Sequence, residues 1–336
     1  MAHKEDVLRL QKELSQLREI FFPRASKEID RMRKYGTRLA HYTTAETGLK
    51  ILHSNEIFLR NATLMNDFSE MRYGMDCLGY AYSGQFGMRL KAALRDVQDD
   101  LPDILARNFD NNFIDVRSET YLMSVSEHDD GHEDRYGRLS MWRAYAPKNG
   151  VAFILNNRPF VSNSDALNAY TSPVLYATRE DFQTAFEEVV ISIENNLGYL
   201  KSIGGRYVHD MLMTAFRFAV QSTKHPAFKE EKEWRVIYTP TLLPENEAKK
   251  QKQLMRVPAK IMSLGGVPQK VYTIPLRDYP DEDFIGATVP ELLDRVLIGP
   301  SQDSYAIAQA YIAELKRRQV PNAESKVIIT DIPLRH

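Results

Sequence analysis

Short apolar runs with the alternation of β-strands recur along this chain, and no constant interval separates them. RLAHYT, EIFLRN, ETYLMSVSE, GVAFIL, PVLYA, EWRVIY, RVLIG and KVIIT read as strands, while the stretches between them range from a tight turn to several helices. A doubly wound sheet needs a regular strand–helix cadence, so this irregular mixture favours an α+β fold. The 336 residues, 43% of them hydrophobic, suffice for one large domain or two small ones. The net charge of −1 lacks the basic excess of a generic nucleic-acid binder, but it leaves room for an enzyme that touches nucleic acid locally. The single cysteine, Cys77, excludes an intramolecular disulfide and a multi-cysteine zinc site, and reads as structural. MAHKEDVLRL has no apolar signal core, and no apolar run reaches the ~18 residues of a membrane span. A soluble, cytoplasmic protein with no membrane partner is expected.

The chain divides at about residue 37. Val7, Leu10, Leu14, Leu17 and Phe21 recur at three- and four-residue steps, which predicts a helix over 4–22. Pro23 interrupts it, and a second helix is expected over about 25–35, ending near Gly36. Residues 1–37 thus form a helical arm, which packs on the body or docks a partner helix. Residues 38–336 read as a single α+β domain. Thr43 or Thr44 caps the helix after RLAHYT, 66–110 and 179–223 are mostly helical, and the polar stretch 241–268 reads as a loop or insertion. No P-loop, GxGxxG, GxSxG or HExxH motif occurs. The loop His128–Asp134 holds metal-compatible side chains at the spacing of no known site, and reads as a solvated acidic loop. Ser301 and Ser304, which open the last long helix, cap it or bind an anion.

Residues 230–238, EEKEWRVIY, carry the most specific pattern. In a strand alternate residues share a face, so Glu231, Glu233, Arg235 and Ile237 project together, and Lys232, Trp234, Val236 and Tyr238 project oppositely. One reading is an ion-pair ladder in which Arg235 neutralises Glu233 and Lys229 serves Glu231, a pattern that contributes about 0–1 kcal/mol per exposed pair. The other is a cleft with paired carboxylates for glycosyl-type chemistry. Two further strands present small polar groups at the same spacing: His41 with Thr43, and Ser124 with Ser126. His-x-Thr, Ser-x-Ser and Glu-x-Glu in that order is an uncommon combination.

With LAHYTTAETGLKILHSNEIFLRNATLMNDFSE, SVSEHDDGHEDRYGRLSMWRAYAPKNGVAF, AFKEEKEWRVIY and VLIGPSQD, the chain resembles, over about 39–310, a widespread bacterial family known only as a domain of unknown function. The strand order His-x-Thr, Ser-x-Ser, Glu-x-Glu is more remotely similar to the ADP-ribosyltransferases. That resemblance implies split mixed or antiparallel sheets around a cleft, with helical insertions and the N-terminal arm outside. It implies an NAD-dependent mono-ADP-ribosyltransferase, with NAD as substrate and no metal, acting on a macromolecular acceptor, protein or nucleic acid. A role as a toxin or anti-phage effector with a neutralising partner also fits it.

Carried onto this sequence, the resemblance makes Glu233 the carboxylate that stabilises the oxocarbenium-like ribose and binds its 2′-hydroxyl. Glu231 orients or deprotonates the acceptor. His41 holds the adenosine ribose, and Thr43 or Ser126 holds ribose or carboxamide. Trp142 or Tyr145 forms an aromatic wall for nicotinamide, or else anchors its helix in the core. Asn66, Asp67 and Glu70 line the cleft or cap the next helix. Two rival readings remain: a metal-dependent nuclease or phosphotransferase using Glu231, Glu233, Asp67 and His41, and a non-enzymatic nucleotide or partner sensor.

Overall fold

Twelve strands are present in the computed structural model, which describes residues 13–64, 68–242, 246–264 and 266–333. They are β1 (Arg38–Thr44), β2 (Glu56–Asn61), β3 (Tyr121–His128), β4 (Gly150–Leu155), β5 (Ala169–Pro173), β6 (Leu175–Tyr176), β7 (Thr223–Lys224), β8 (Glu233–Tyr238), β9 (Ala259–Leu264), β10 (Val267–Pro275), β11 (Leu293–Ile298) and β12 (Val327–Ile329). Most coincide with the runs read from the sequence. The class is mixed α+β, as the irregular cadence requires. The first half of the N-terminal apolar stripe, and Asn66 and Asp67, lie outside the described residues.

The described residues group into two compact units. One comprises residues in the ranges 13–30, 63–118 and 172–228. It is built from helices, among them Phe68–Ser83, Gln85–Val97, Leu101–Ser118, Arg179–Asn195 and Gly205–Gln221, with a two-stranded parallel ribbon of β6 and β7. Its core holds Leu90, Leu94, Phe186, Val190, Leu212 and Phe216. Thr178 and Asp181 cap the fourth of these helices reciprocally. Leu17, Ile20 and Phe21 are buried, so the C-terminal half of the stripe is core. Glu70, expected at a cap or a cleft, is instead buried in this unit against the ammonium of Lys224 at 2.6 Å.

The other unit comprises residues in the ranges 31–62, 119–171 and 229–333 and contains a ten-stranded mixed sheet. Its main path runs β12-β11-β4-β1-β3-β2-β10-β9, and β8 pairs β3 and β5 off that path. β11 and β12 are parallel, while β1, β2 and β4 meet their partners antiparallel and β8 meets β3 antiparallel. Thr44 caps the helix Ala45–Ser54 by accepting from the Thr47 amide at 3.2 Å, and Asn55 ends that helix in the left-handed conformation.

The stretch 241–268, expected as a loop or insertion, carries the helix Glu247–Arg256 and strand β9. Asn246 caps this helix. Its basic residues are held by acids: Lys249 by Asp165, Lys250 by Glu247, and both Lys252 and Arg256 by Glu282. The lysine run is therefore locally neutralised.

Candidate functional site

Strand β3 has three neighbours, and this is what makes the site. Along one edge β8 pairs it from Tyr121–Tyr238 to Ser126–Glu233. The opposite edge is shared: β2 pairs Tyr121 and Leu122, while β1 pairs Ser126, Glu127 and His128. Met123, Ser124 and Val125 lie between the two pairings. Beyond Ala40, β1 continues along β4, and β2 continues along β10. The sheet therefore forks at Ser124.

Cross-strand partners share a face. Ala40, Ser126 and Glu233 form one row, and Ser124 with Arg235 the next. His41 and Thr43 alternate to the other face of β1. The His41 ring turns into the fork, where Nδ1–H donates to the carbonyl of Ser124 at 3.0 Å. A carbonyl only accepts, so Nδ1 carries the hydrogen and Nε2 is the acceptor of the neutral ring. Burial pushes the imidazole below its ordinary value, opposed in part by that hydrogen bond. His41 is the one polar residue lining a cavity of about 20 Å³, whose other walls include Ile51, Ile57, Phe153 and Leu276. Thr43 pairs with Val151 further along the same strand.

Glu233 is buried, at 6% exposure, and the Arg235–Glu233 pair of the first reading forms, but as a buried pair and not an exposed one. Its carboxylate accepts from Arg235 Nε at 2.8 Å and Nη2 at 3.1 Å, and from the Ser124 hydroxyl at 2.5 Å. Ser124 thus touches both His41, through its carbonyl, and Glu233, through its hydroxyl. The hydroxyl of Ser126, expected with Thr43 as an alternative holder of ribose or carboxamide, donates to the carbonyl of Glu231 and accepts from Arg138.

Glu231 does not share the strand with Glu233. β8 begins at Glu233, Glu231 ends the 3₁₀ helix Pro226–Glu231, and Lys232 between them has φ 46°, in the left-handed region. The period of two therefore stops at Glu233. The Glu231 carboxylate accepts instead from the Tyr145 hydroxyl at 3.1 Å.

Trp142 anchors the core. It is 2% exposed, donates from Nε1 to the Tyr136 carbonyl at 2.8 Å, and stands edge-on to Tyr42 with ring centroids 4.8 Å apart. Gly137, at φ +63°, and Gly299 close on the indole so tightly that a Cβ on either would lie 2.8 Å from it. Of the two proposed aromatic walls, Tyr145 alone remains half-buried beside a carboxylate. Tyr42 belongs to the same core, and burial pushes its phenol up to about 12 against the hydrogen bond from the Arg138 amide.

Arg138 is the residue that sequence reasoning missed. Its guanidinium grips Glu133 with Nε at 2.9 Å and Nη2 at 3.1 Å. It also donates to Ser126 Oγ at 2.6 Å and to the carbonyls of Glu127, Glu230 and Glu231 at 2.8, 3.0 and 3.1 Å. No periodicity or motif marks it; the acidic run before it was the one available signal. Asp129, Asp130 and His132 of that run are exposed, as a solvated loop requires, but its two ends are held in the fold. His128 is buried and donates from Nε2 to Asp134 at 2.9 Å, and Arg38 binds Asp130, Asp134 and Asp294 at 2.5, 2.7 and 2.5 Å. Burial would raise the Asp134 carboxyl, but His128, Arg38 and Arg295 outweigh it and hold it below its ordinary value. Among the described residues, no three His, Cys, Asp or Glu side chains converge so as to hold a metal ion. Ser301 accepts from the Asp303 amide at 3.0 Å and donates to Asn149 at 2.6 Å, which serves the helix start.

Residues 141–236 match the model of a family described as Protein of unknown function (DUF2971). The match contains Trp142, Tyr145, Glu231, Glu233 and Arg235, while His41, Ser124, Ser126 and Arg138 lie before it. No curated protein and no solved structure matches the chain. Among the described residues no helix is long and apolar enough to cross a membrane.

Proposed function

We propose that this protein is an NAD-dependent mono-ADP-ribosyltransferase acting on a macromolecule, with Glu233 as the carboxylate at the reacting ribose. One observation carries the reading. The strands bearing His41, Ser124 and Glu233 lie side by side in the order β1–β3–β8, and Ser124 hydrogen-bonds to both of the others. His41 and Glu233, from strands far apart in sequence, thus both reach Ser124 where the sheet forks, one through its carbonyl and the other through its hydroxyl.

In the reaction, the bond between the ribose C1′ and nicotinamide breaks, and nicotinamide leaves with the bonding electrons. The acceptor nucleophile bonds to C1′ as its proton passes to a base. Positive charge develops on the ribose, and a fixed carboxylate nearby stabilises it. Glu233 supplies that charge, Arg235 and Ser124 hold its orientation, and Glu231 receives the proton. His41 and Thr43 hold the adenosine end of the substrate. Ser126 and Trp142 are committed to the fold, so their expected tasks pass to Ser124 and Tyr145.

The test is nicotinamide release from labelled NAD in the presence of a cell lysate. Glu233→Gln is expected to lower release on the order of 10²-fold or more, with unfolding still cooperative. Unchanged NAD consumption by Glu233→Gln sinks the mechanism. Loss of activity in EDTA points to the metal-dependent alternative.

A further inference from the structure

We infer that Arg138 is a positioning residue for the second carboxylate, Glu231, and that it acts by clamping the turn before β8 to β3. The inference rests on the transferase reading for what Glu231 does, but not for how Glu231 is held. The geometry points to a clamp because several holds on the turn converge from the segment between Ser126 and Tyr145. Arg138 donates to the carbonyls of Glu230 and Glu231, Ser126 donates to the carbonyl of Glu231, and the Glu127 amide donates to that of Lys232 at 2.9 Å. Tyr145 holds the Glu231 side chain. Glu133 neutralises the clamp with a two-point grip, so one buried guanidinium serves both strand and turn.

The turn needs such a clamp. Lys232 is a non-glycine residue in the left-handed region, which persists only where the surroundings impose it. A lysine at 138 keeps the charge but lacks the planar fork that reaches several acceptors at once. Releasing the turn moves Glu231 while leaving Glu233 on its paired strand. Misplacing an acceptor-side base costs transfer to the macromolecule more than it costs cleavage of NAD, because water replaces the acceptor without needing the same orientation.

The experiment compares Arg138→Lys and Tyr145→Phe with wild type in two assays. Hydrogen exchange is followed over residues 229–232 and, separately, 234–238. Nicotinamide release and label transferred to lysate macromolecules are measured together. Arg138→Lys is expected to speed exchange in 229–232 alone, and to lower the ratio of transfer to release by about tenfold or more. Tyr145→Phe, which removes one hydroxyl, is expected to lower the same ratio with exchange unchanged. Unchanged exchange in 229–232 for Arg138→Lys overturns the clamp. Transfer and release falling in parallel in both variants overturns the assignment to Glu231. Absence of nicotinamide release by the wild type is a failure of the transferase reading, and the exchange result still decides the clamp.

Discussion

Removing the counter-charge of Glu233 while leaving the carboxylate in place tests whether the pair behaves energetically as a buried one. Arg235→Met does this with an apolar side chain of similar reach. Both members of the pair are 7% exposed at the side chain, and two contacts of 2.8 and 3.1 Å join them. An exposed pair is worth about 0–1 kcal/mol. Breaking a buried pair by deleting one partner costs about 3–5 kcal/mol, because desolvation of the remaining charge is no longer offset. The burial here selects the second figure. At roughly 2–4 °C per kcal/mol for a body of 150–250 residues, the melting temperature falls by about 6–20 °C. Urea unfolding at pH 7 gives the free energy, and thermal scanning checks the shift. The double variant Glu233→Met/Arg235→Met supplies the control. Replacing both members by apolar groups removes the desolvation penalty with the pair, so it recovers most of the loss. About 1 kcal/mol remains for the Ser124 hydroxyl, which loses its acceptor. A loss below about 1 kcal/mol for Arg235→Met, or a double variant as unstable as the two single variants summed, refutes the reasoning.

Gly299→Ala places a methyl group 2.8 Å from the Trp142 ring, and the overpacking is expected to cost about 1–3 kcal/mol in urea unfolding; no measurable change means that the indole moves aside freely. Glu282 is held at about 2 by the Arg256 hydrogen bond first, which with Lys252 outweighs the desolvation that raises it, against an ordinary value of 4.5. Because the folded value is the lower one, its contribution is complete above the unfolded value and is lost as pH falls from about 4.5 towards 2. Glu282→Gln therefore costs at most about 3 kcal/mol at pH 7, less the screening of a carboxylate a quarter exposed, and converges with wild type near pH 2; a pH-independent difference contradicts this.

The fold was legible wherever one period held across a whole element. GVAFIL is buried at every position, as a central strand requires. SYAIAQAYIAELKR buries Ala308, Tyr311 and Leu315 on one face of its helix. Of the candidate site, the pairing of Glu233 with Arg235 was readable because both lie on one regular strand. The fork was not readable, since it depends on which strands β3 meets across gaps of many residues. Ser124 and Ser126 are equivalent by alternation, and although the register sets Ser126 opposite Glu233, the carboxylate turns diagonally to Ser124 and leaves Ser126 to the turn. Arg138 was hidden for a similar reason. Its acceptors are mostly backbone carbonyls, and a carbonyl carries no mark in a sequence. The polar stretch 241–268 misled because its helix is mostly polar and its strand Ala259–Leu264 mostly exposed, so neither shows a strong apolar period.

The spacing Glu-x-Glu suggests two equivalent carboxylates, but the backbone at Lys232 makes them different in kind. Counting by two assumes an extended chain through the intervening residue, and φ 46° is not extended. Glu233 is consequently a strand residue, buried, charge-balanced by Arg235 and oriented by Ser124. Glu231 is a turn residue, half-buried and oriented by Tyr145. Two carboxylates in unlike environments are suited to unlike tasks, since the environment decides which one keeps a fixed charge and which one exchanges a proton. The proposed division of labour follows from that contrast and not from the spacing. It also makes the two separable: a change at Arg138 reaches Glu231 through the turn and one at Tyr145 through the Glu231 side chain, whereas a change at Ser124 or Arg235 reaches Glu233 through the sheet. Perturbations in the first group should alter which acceptor is used, and those in the second whether NAD is cleaved at all.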